Sequence, residues 1–247
     1  MLPGNIFNGR KVVVTGASRG LGRATAVAFA RQGADVAILA RSADGLRRTA
    51  AEVNAASRDL LVLPTDLSDQ QSVAASAQEI DRRWGHIDVL VHNAAGWLTG
   101  PLEHLDPSAV REMIAGTLVG AIWLTQALLP ALSAADHPRV INIASTAALP
   151  GPDPEGSSVA FIAAKRGLVG FGEALGAELR PKGIAVTNLY PGGFHSESPL
   201  DMPWDAVARE FGSAAMAVAD VVDAIFFCAS RSPLAAVQSM VLVPSGA

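Results

Sequence analysis

Short apolar runs rich in β-branched residues alternate along this chain with longer stretches in which apolar residues recur at helical spacing. The runs Lys11–Thr15, Asp35–Ala40, Leu60–Leu63, Val89–His92, Val140–Ala144, Ile184–Tyr190 and Met240–Val243 predict strands. Helices are predicted over Gly20–Arg31, Asp44–Asn54, Asp69–Trp84, Pro107–Ser133, Phe161–Arg180 and Ala219–Ala229, with Asp69 and Pro107 at a cap and a first turn. Strands that are apolar throughout, each followed by a helix, point to a parallel sheet covered on both faces: a doubly wound α/β fold of about seven strands. Crossovers in such a sheet are right-handed, so ligands collect beyond the carboxyl ends of the strands, where strand order reverses.

One uncharged stretch, Met113–Ala135, is long enough to span a bilayer. Gly116, Thr117, Gly120, Thr125, Gln126 and Pro130 interrupt it, and strand-like segments flank it, so a buried helix is the expected reading and no membrane partner is predicted.

Composition narrows the class. With 247 residues, 50% hydrophobic and 17% charged, the chain can bury a full core, and nothing divides it, so residues 1–247 are expected to form one domain. A formal charge of -4 leaves no basic surplus for nucleic acid, which points to a small-molecule partner. The single cysteine, Cys228, allows no internal disulfide and reads as a core thiol; the five histidines lack zinc spacing, so no metal is expected. Met1–Arg10 holds no apolar signal core, which makes the cytoplasm the expected compartment.

The candidate chemistry begins after the first strand, at Thr15-Gly16-Ala17-Ser18-Arg19-Gly20-Leu21-Gly22. Glycines at 16, 20 and 22 allow a tight turn and let backbone N–H groups and a helix N-terminus approach a diphosphate; taken alone, the run could also be an ordinary strand-to-helix turn. Where an NAD enzyme would place an acidic residue against the ribose, the chain has Ala40-Arg41-Ser42. With Arg41 and Arg19 available to pair with a 2′-phosphate, NADPH is favoured over NADH.

With these motifs the sequence resembles the short-chain dehydrogenase/reductase family of the single-domain type. Further support comes, in the family's order, from Asp66-Leu67, Asn93-Ala94-Ala95-Gly96, Ser145, Lys165 and Pro191-Gly192. The resemblance implies a Rossmann-type fold. It also implies that Asp66 and Leu67 flank the adenine, that Asn93, Ala94 and Ala95 support sheet and cofactor, that Lys165 holds ribose hydroxyls, and that Pro191, Gly192 and Ser196 meet the nicotinamide side. Ser145 would hydrogen-bond a substrate carbonyl.

Two positions depart from the family pattern. Its Tyr-x-x-x-Lys motif reads here Phe161-Ile162-Ala163-Ala164-Lys165, and the asparagine expected three residues before Gly120 is Thr117. Phenylalanine has no proton to give. Ser145 also lies 16 residues before Phe161, a wider spacing than the family's, which predicts a lengthened loop over Pro150–Gly156. Tyr190, His195 or water could replace the missing acid; His92 reads as structural.

Ser196–Phe211, with Pro199, Met202, Pro203 and Trp204, is expected within a substrate-covering loop around residues 193–212 that suits an apolar ligand. Gly116, Gly120, Gly167, Gly170, Gly172 and Gly176 allow close helix packing, within the subunit or across a homodimer or homotetramer. Three functions stay open: an NADP(H)-dependent oxidoreductase of ketones or alcohols with an altered proton transfer, a cofactor-binding protein that has lost catalysis, or a non-redox enzyme on the same scaffold.

Overall fold

The computed structural model describes residues 5–54, 56, 59–151, 156–212 and 214–245. In chain order the elements are β1 (Lys11–Thr15), α1 (Gly20–Arg31), β2 (Asp35–Ala40), α2 (Ala43–Asn54), β3 (Leu60–Pro64), α3 (Gln70–Trp84) and β4 (Val89–His92). There follow α4 (Pro107–Ile114), α5 (Gly120–Ser133), β5 (Arg139–Ile143), α6 (Val159–Leu179), β6 (Ala185–Pro191), β7 (Phe194–His195), α7 (Trp204–Phe211), β8 (Met216–Ala217), α8 (Val218–Ala229) and β9 (Ser239–Leu242). Seven strands pair in the order β3-β2-β1-β4-β5-β6-β9. Every pairing in this sheet is parallel.

Successive side chains on a strand face opposite sides, so each strand feeds two cores. Val12 and Val14 of β1 pack with α1, α2 and α8, where Phe7, Phe29 and Phe226 form an aromatic trio with centroids 4.7 to 5.1 Å apart. Val13 points the other way, into the layer built by Val73, Ala77 and Ile80 of α3 and Leu124, Leu128 and Leu132 of α5. The order reverses at β1, which pairs with β2 on one side and β4 on the other, and the crevice therefore opens above the end of β1.

All seven predicted strands occur, with ends shifted by at most one residue. Asp69 caps α3 by accepting from the Gln71 N–H, and Pro107 follows the cap residue Asp106. The helical stretch Pro107–Ser133 is long and apolar enough to cross a membrane; 39% of its apolar window is buried, with its own Leu124, Leu128 and Leu132 wholly in the core. It is not uniform: between α4 and α5, residues Ala115–Val119 form a π turn. The helix expected from Phe161 starts two residues earlier, because Ser158 accepts from the Phe161 N–H and caps it. The segment expected as a covering loop holds β7, which pairs with β8 just beyond it, and α7. In α7 Val207 is buried while Trp204 is 80% exposed.

Three of the helix glycines serve packing within the subunit. A Cβ at Gly120 would lie 2.4 Å from the Leu67 carbonyl oxygen, at Gly167 2.6 Å from the Leu118 side chain, and at Gly172 2.2 Å from the Asn188 side chain. Gly116 and Gly170 face open space. Cys228 is buried as expected, and burial pushes its thiol up to about 11, so it stays protonated and inert.

Candidate functional site

The glycine-rich turn is shaped by contacts that leave no room for side chains. Gly16 and Gly20 take left-handed φ values of 66° and 54°. A Cβ at Gly16 would stand 2.8 Å from the Ala94 Cα, and one at Gly22 2.3 Å from the Gly16 carbonyl oxygen. Asn93 ties the turn to β4 by donating its Nδ2 to the Thr15 carbonyl at 3.0 Å, while the Thr15 hydroxyl accepts from the Asn93 and Ala94 N–H groups. Thr49 of α2 donates to the Ala17 carbonyl at 2.8 Å, and Arg23 to the Ser18 carbonyl at 2.9 Å. No side chain caps α1, so the N–H groups of its first turn lack an intrahelical partner or a side-chain cap. This bare N-terminus in a side-chain-free cradle fits the diphosphate of a dinucleotide.

A cleft of about 590 Å³ opens beside the turn. Of the residues predicted to bind cofactor, Gly16, Ser18, Arg19, Arg41, Asp66, Leu67, Ala94 and Ala95 line it. Leu21, Gly22 and Asn93 build the turn from behind. Sequence reasoning missed Arg48 and Glu112, which also line the cleft. Arg48 sits on the face of α2 that carries Gly45, three residues on, a spacing the sequence offered. Glu112 belongs to a stripe of α4 and the π turn formed by Ala109, Glu112, Met113 and Gly116, and its carboxylate meets Arg41 at 3.3 Å. The Asp66 carboxylate accepts from the Ser68 hydroxyl and N–H, which holds it below the usual carboxylate range against the opposing effect of burial.

Ser145, Phe161 and Lys165 lie outside this cleft, toward α6. Ser145 follows β5, and its Oγ accepts from the Ala147 N–H at 3.1 Å, which leaves the hydroxyl proton free. Lys165 is buried and donates its Nζ to the Ile143 carbonyl at 2.6 Å; burial pulls its ammonium down to about 8. The Phe161 ring packs with Met113, Ala147 and Ala164 and meets Trp97 edge-on at 4.8 Å. The Lys165 Nζ lies 5.8 Å from its centroid, within cation–π range. Ser158 donates its N–H to the Leu98 carbonyl, and Thr99 bridges to Ser157, so the segment after Gly96 runs along the start of α6. Thr117 is buried and turns its hydroxyl toward the Met113 Sδ at 3.6 Å, within its own helix. Most of the expected lengthened loop, residues 152–155, lies outside the described residues.

The other candidates occupy distinct places. Tyr190 is enclosed by Ala144, Ala148, Leu149 and Val169, and burial raises its phenol above 10.0, which makes it a weaker acid. The His195 Nε2 donates to the Gly212 carbonyl at 3.2 Å and its ring lies on Phe211. Pro191 and Gly192 are held against β9, where the Gly192 N–H donates to the Leu242 carbonyl. Ser196 comes over the glycine turn: its Cβ lies 3.4 Å from where a Gly20 Cβ would be. Two ion pairs strap this segment to α1, Arg23 with Glu197 at 3.9 Å and Arg31 with Asp201 at 2.8 Å. His92 is buried as expected and its Nε2 shares a 2.7 Å hydrogen bond with the Thr125 hydroxyl. Among the described residues no group of three His, Cys, Asp or Glu could hold a metal ion.

Residues 10–204 match the family model described as short chain dehydrogenase. The chain is 32% identical over 206 residues to a sorbitol dehydrogenase of Cereibacter sphaeroides, covering 83% of this chain and 76% of that one. To a 3-oxoacyl-[acyl-carrier-protein] reductase of Escherichia coli it is 31% identical over 186 residues, 75% and 74% of the two chains. Among solved structures, a metagenomic short-chain oxidoreductase in complex with NADP is similar with a TM-score of 0.81 at 31% identity, over 97% of this chain and 99% of that one. A short chain dehydrogenase of Burkholderia cenocepacia in complex with NADP gives a TM-score of 0.83 at 26% identity, over 97% and 98%. By the extent of the family match and the identity to curated relatives, the protein belongs to the short-chain dehydrogenase/reductase family.

Proposed function

We propose that this protein is an NADP(H)-dependent oxidoreductase of a small, largely apolar ketone or alcohol, with a proton transfer that does not use tyrosine. The observation that carries the reading is the side-chain-free cradle of Gly16 and Gly22 under an uncapped helix, opening on a cleft lined by Arg19, Arg41 and Arg48. In this reading the backbone of Gly16–Gly22 holds the diphosphate, the arginines the 2′-phosphate, Asp66 and Leu67 the adenine, and Lys165 the ribose hydroxyls. Asn93, Ala94 and Ala95 support the middle of the cofactor, and Pro191, Gly192 and Ser196 its nicotinamide end. When bound, the nicotinamide supplies or accepts the hydride.

Ser145 keeps a hydroxyl proton with which to orient a carbonyl oxygen. Phe161, Met113 and Ile162 exclude water from one side of that corner without donating a proton. Tyr190 is a weakened acid and the His195 Nε2 is engaged, so water is the proton source in this reading. Losing a general acid costs about 10²- to 10⁴-fold, which leaves turnover by positioning.

Two contacts favour a second reading, a cofactor binder without catalysis. The Trp97–Phe161 contact and the Thr117–Met113 contact fill with hydrocarbon and sulfur the corner where a substrate would react. Single-turnover oxidation of NADPH against a panel of apolar ketones separates the two. A measurable rate with any ketone supports the enzyme, whereas tight NADPH binding with no oxidation across the panel replaces it with the binder.

A further inference from the structure

Glu112 stands alone in its stripe. Ala109, Met113 and Gly116 present small or apolar surface to the cleft, and among them one carboxylate faces the wall that carries Arg19, Arg41 and Arg48. The other lining carboxylate, Asp66, accepts two hydrogen bonds from Ser68 and feels the Arg41 charge only at longer range, without an ion pair to it. Glu112 instead reaches the Arg41 Nη1 from a position 71 residues away in sequence, joining the end of β2 to α4 across the mouth of the cleft. Both side chains are well exposed, 67% for Arg41 and 61% for Glu112, so the pair is screened by solvent and can open.

We infer that Glu112 is a specificity-determining residue that sets how strongly the protein prefers a 2′-phosphorylated nucleotide, by competing for Arg41. This rests on the NADP(H) reading of the cleft. A 2′-phosphate and the Glu112 carboxylate need the same guanidinium, and a phosphate that displaces the carboxylate is left near a like charge. Both effects weaken NADPH binding. NADH, which brings no charge to Arg41, meets neither. Glu112 is argued to act through Arg41, so its action is one of positioning.

The test is a set of titrations by nicotinamide fluorescence and calorimetry, with NADPH, NADH, 2′,5′-ADP and ADP, on the wild type, E112Q, E112D, R41A and the double variant. E112Q is expected to bind NADPH and 2′,5′-ADP about 3- to 10-fold more tightly and to leave NADH and ADP within about twofold. The gain disappears at high salt and in the R41A background, and E112D restores wild-type affinities. An E112Q that binds all four nucleotides better by the same factor, or none better, overturns the inference while the NADP(H) reading stands. A wild type that binds neither NADPH nor NADH overturns that reading and the inference with it.

Discussion

The glycine turn and the Ser145–Lys165 corner belong to one fold and sit on one sheet edge, yet they are built from opposite materials. At the turn the contacts are close and mostly polar: Gly22 against the Gly16 carbonyl, the Asn93 amide on the Thr15 carbonyl, a helix end without a side-chain cap. At the corner Phe161, beside Lys165, packs against Trp97 and Met113, and Thr117 spends its hydroxyl on a sulfur of its own helix. A diphosphate demands backbone N–H groups, which any sequence with glycines in the right places supplies. An acid needs one particular side chain, so a single substitution removes it and leaves the fold standing. Binding and chemistry can therefore part company in one molecule.

The largest effect expected comes from giving the corner its proton. Phe161→Tyr keeps the ring in its packed position and adds a hydroxyl near the Lys165 ammonium, and single-turnover NADPH oxidation should rise about 10²- to 10⁴-fold. An unchanged rate would mean that the loss lies in the blocked substrate space and not in the acid.

Next in size is damage to the turn. In Gly22→Ala the new Cβ meets the Gly16 carbonyl oxygen at 2.3 Å, a backbone atom that cannot step aside cheaply. Overpacking of this kind costs about 1 to 3 kcal/mol, and calorimetry should show both nicotinamide nucleotides binding about tenfold or more weakly. Gly170→Ala on α6 meets nothing within 4 Å and should raise stability by about 0.5 to 1 kcal/mol in chemical denaturation. Equal effects of the two changes would deny that the turn is shaped for an approaching group.

The corner also stores a cost. Lys165 is wholly buried and its ammonium is pulled from 10.5 down to about 8, a depression worth roughly 3 kcal/mol. Below pH 8 the lysine is charged both folded and unfolded, and the folded state bears the full penalty. Between pH 8 and 10.5 the folded lysine is neutral while the unfolded one keeps its proton, so wild-type stability climbs with pH in that window. Lys165→Met should therefore stabilise the nucleotide-free protein by about 1 to 3 kcal/mol at pH 7, with the advantage fading as pH rises to 10.5. A gap that stays constant across that range would place the gain in packing.

The sheet was legible because its signal is local. Each strand is an apolar run closed by turn residues, and α1 follows a glycine motif whose spacing is contiguous in sequence. The cleft was half legible for the same reason: its floor comes from strand ends, where motifs lie, and its walls come from helix faces. Glu112 shares the cleft with Arg41 only because the sheet brings α4 beside the end of β2. Phe161 could be identified from its distance to Lys165, but its partner Trp97 could not, since that contact depends on the Thr99–Ser157 bridge. The segment after Gly193 was legible only in part. Its prolines and glycines suggested a loop, while Val207 and its helical neighbours formed α7 and left Trp204 in solvent.

The smallest effect tests whether charge acts separately at the two ends of the cofactor cleft. Glu197 lies over the bare start of α1, with its Oε1 3.5 Å from where a Gly20 Cβ would stand and its Oε2 3.9 Å from Arg23. A diphosphate arriving at that helix end would meet a like charge already drawn there by the helix dipole. The carboxylate is 58% exposed, so solvent screens it and its removal is worth only about a 2- to 5-fold change. NADPH and NADH carry the same diphosphate, and Glu197→Gln should tighten both by the same factor, leaving their ratio untouched. Glu112→Gln should move the ratio, because the two nucleotides differ only where Arg41 waits. If Glu197→Gln moves the ratio as well, the strap reaches further along the cleft than its contacts with Gly20 and Arg23 imply, and the two ends cannot be treated as independent.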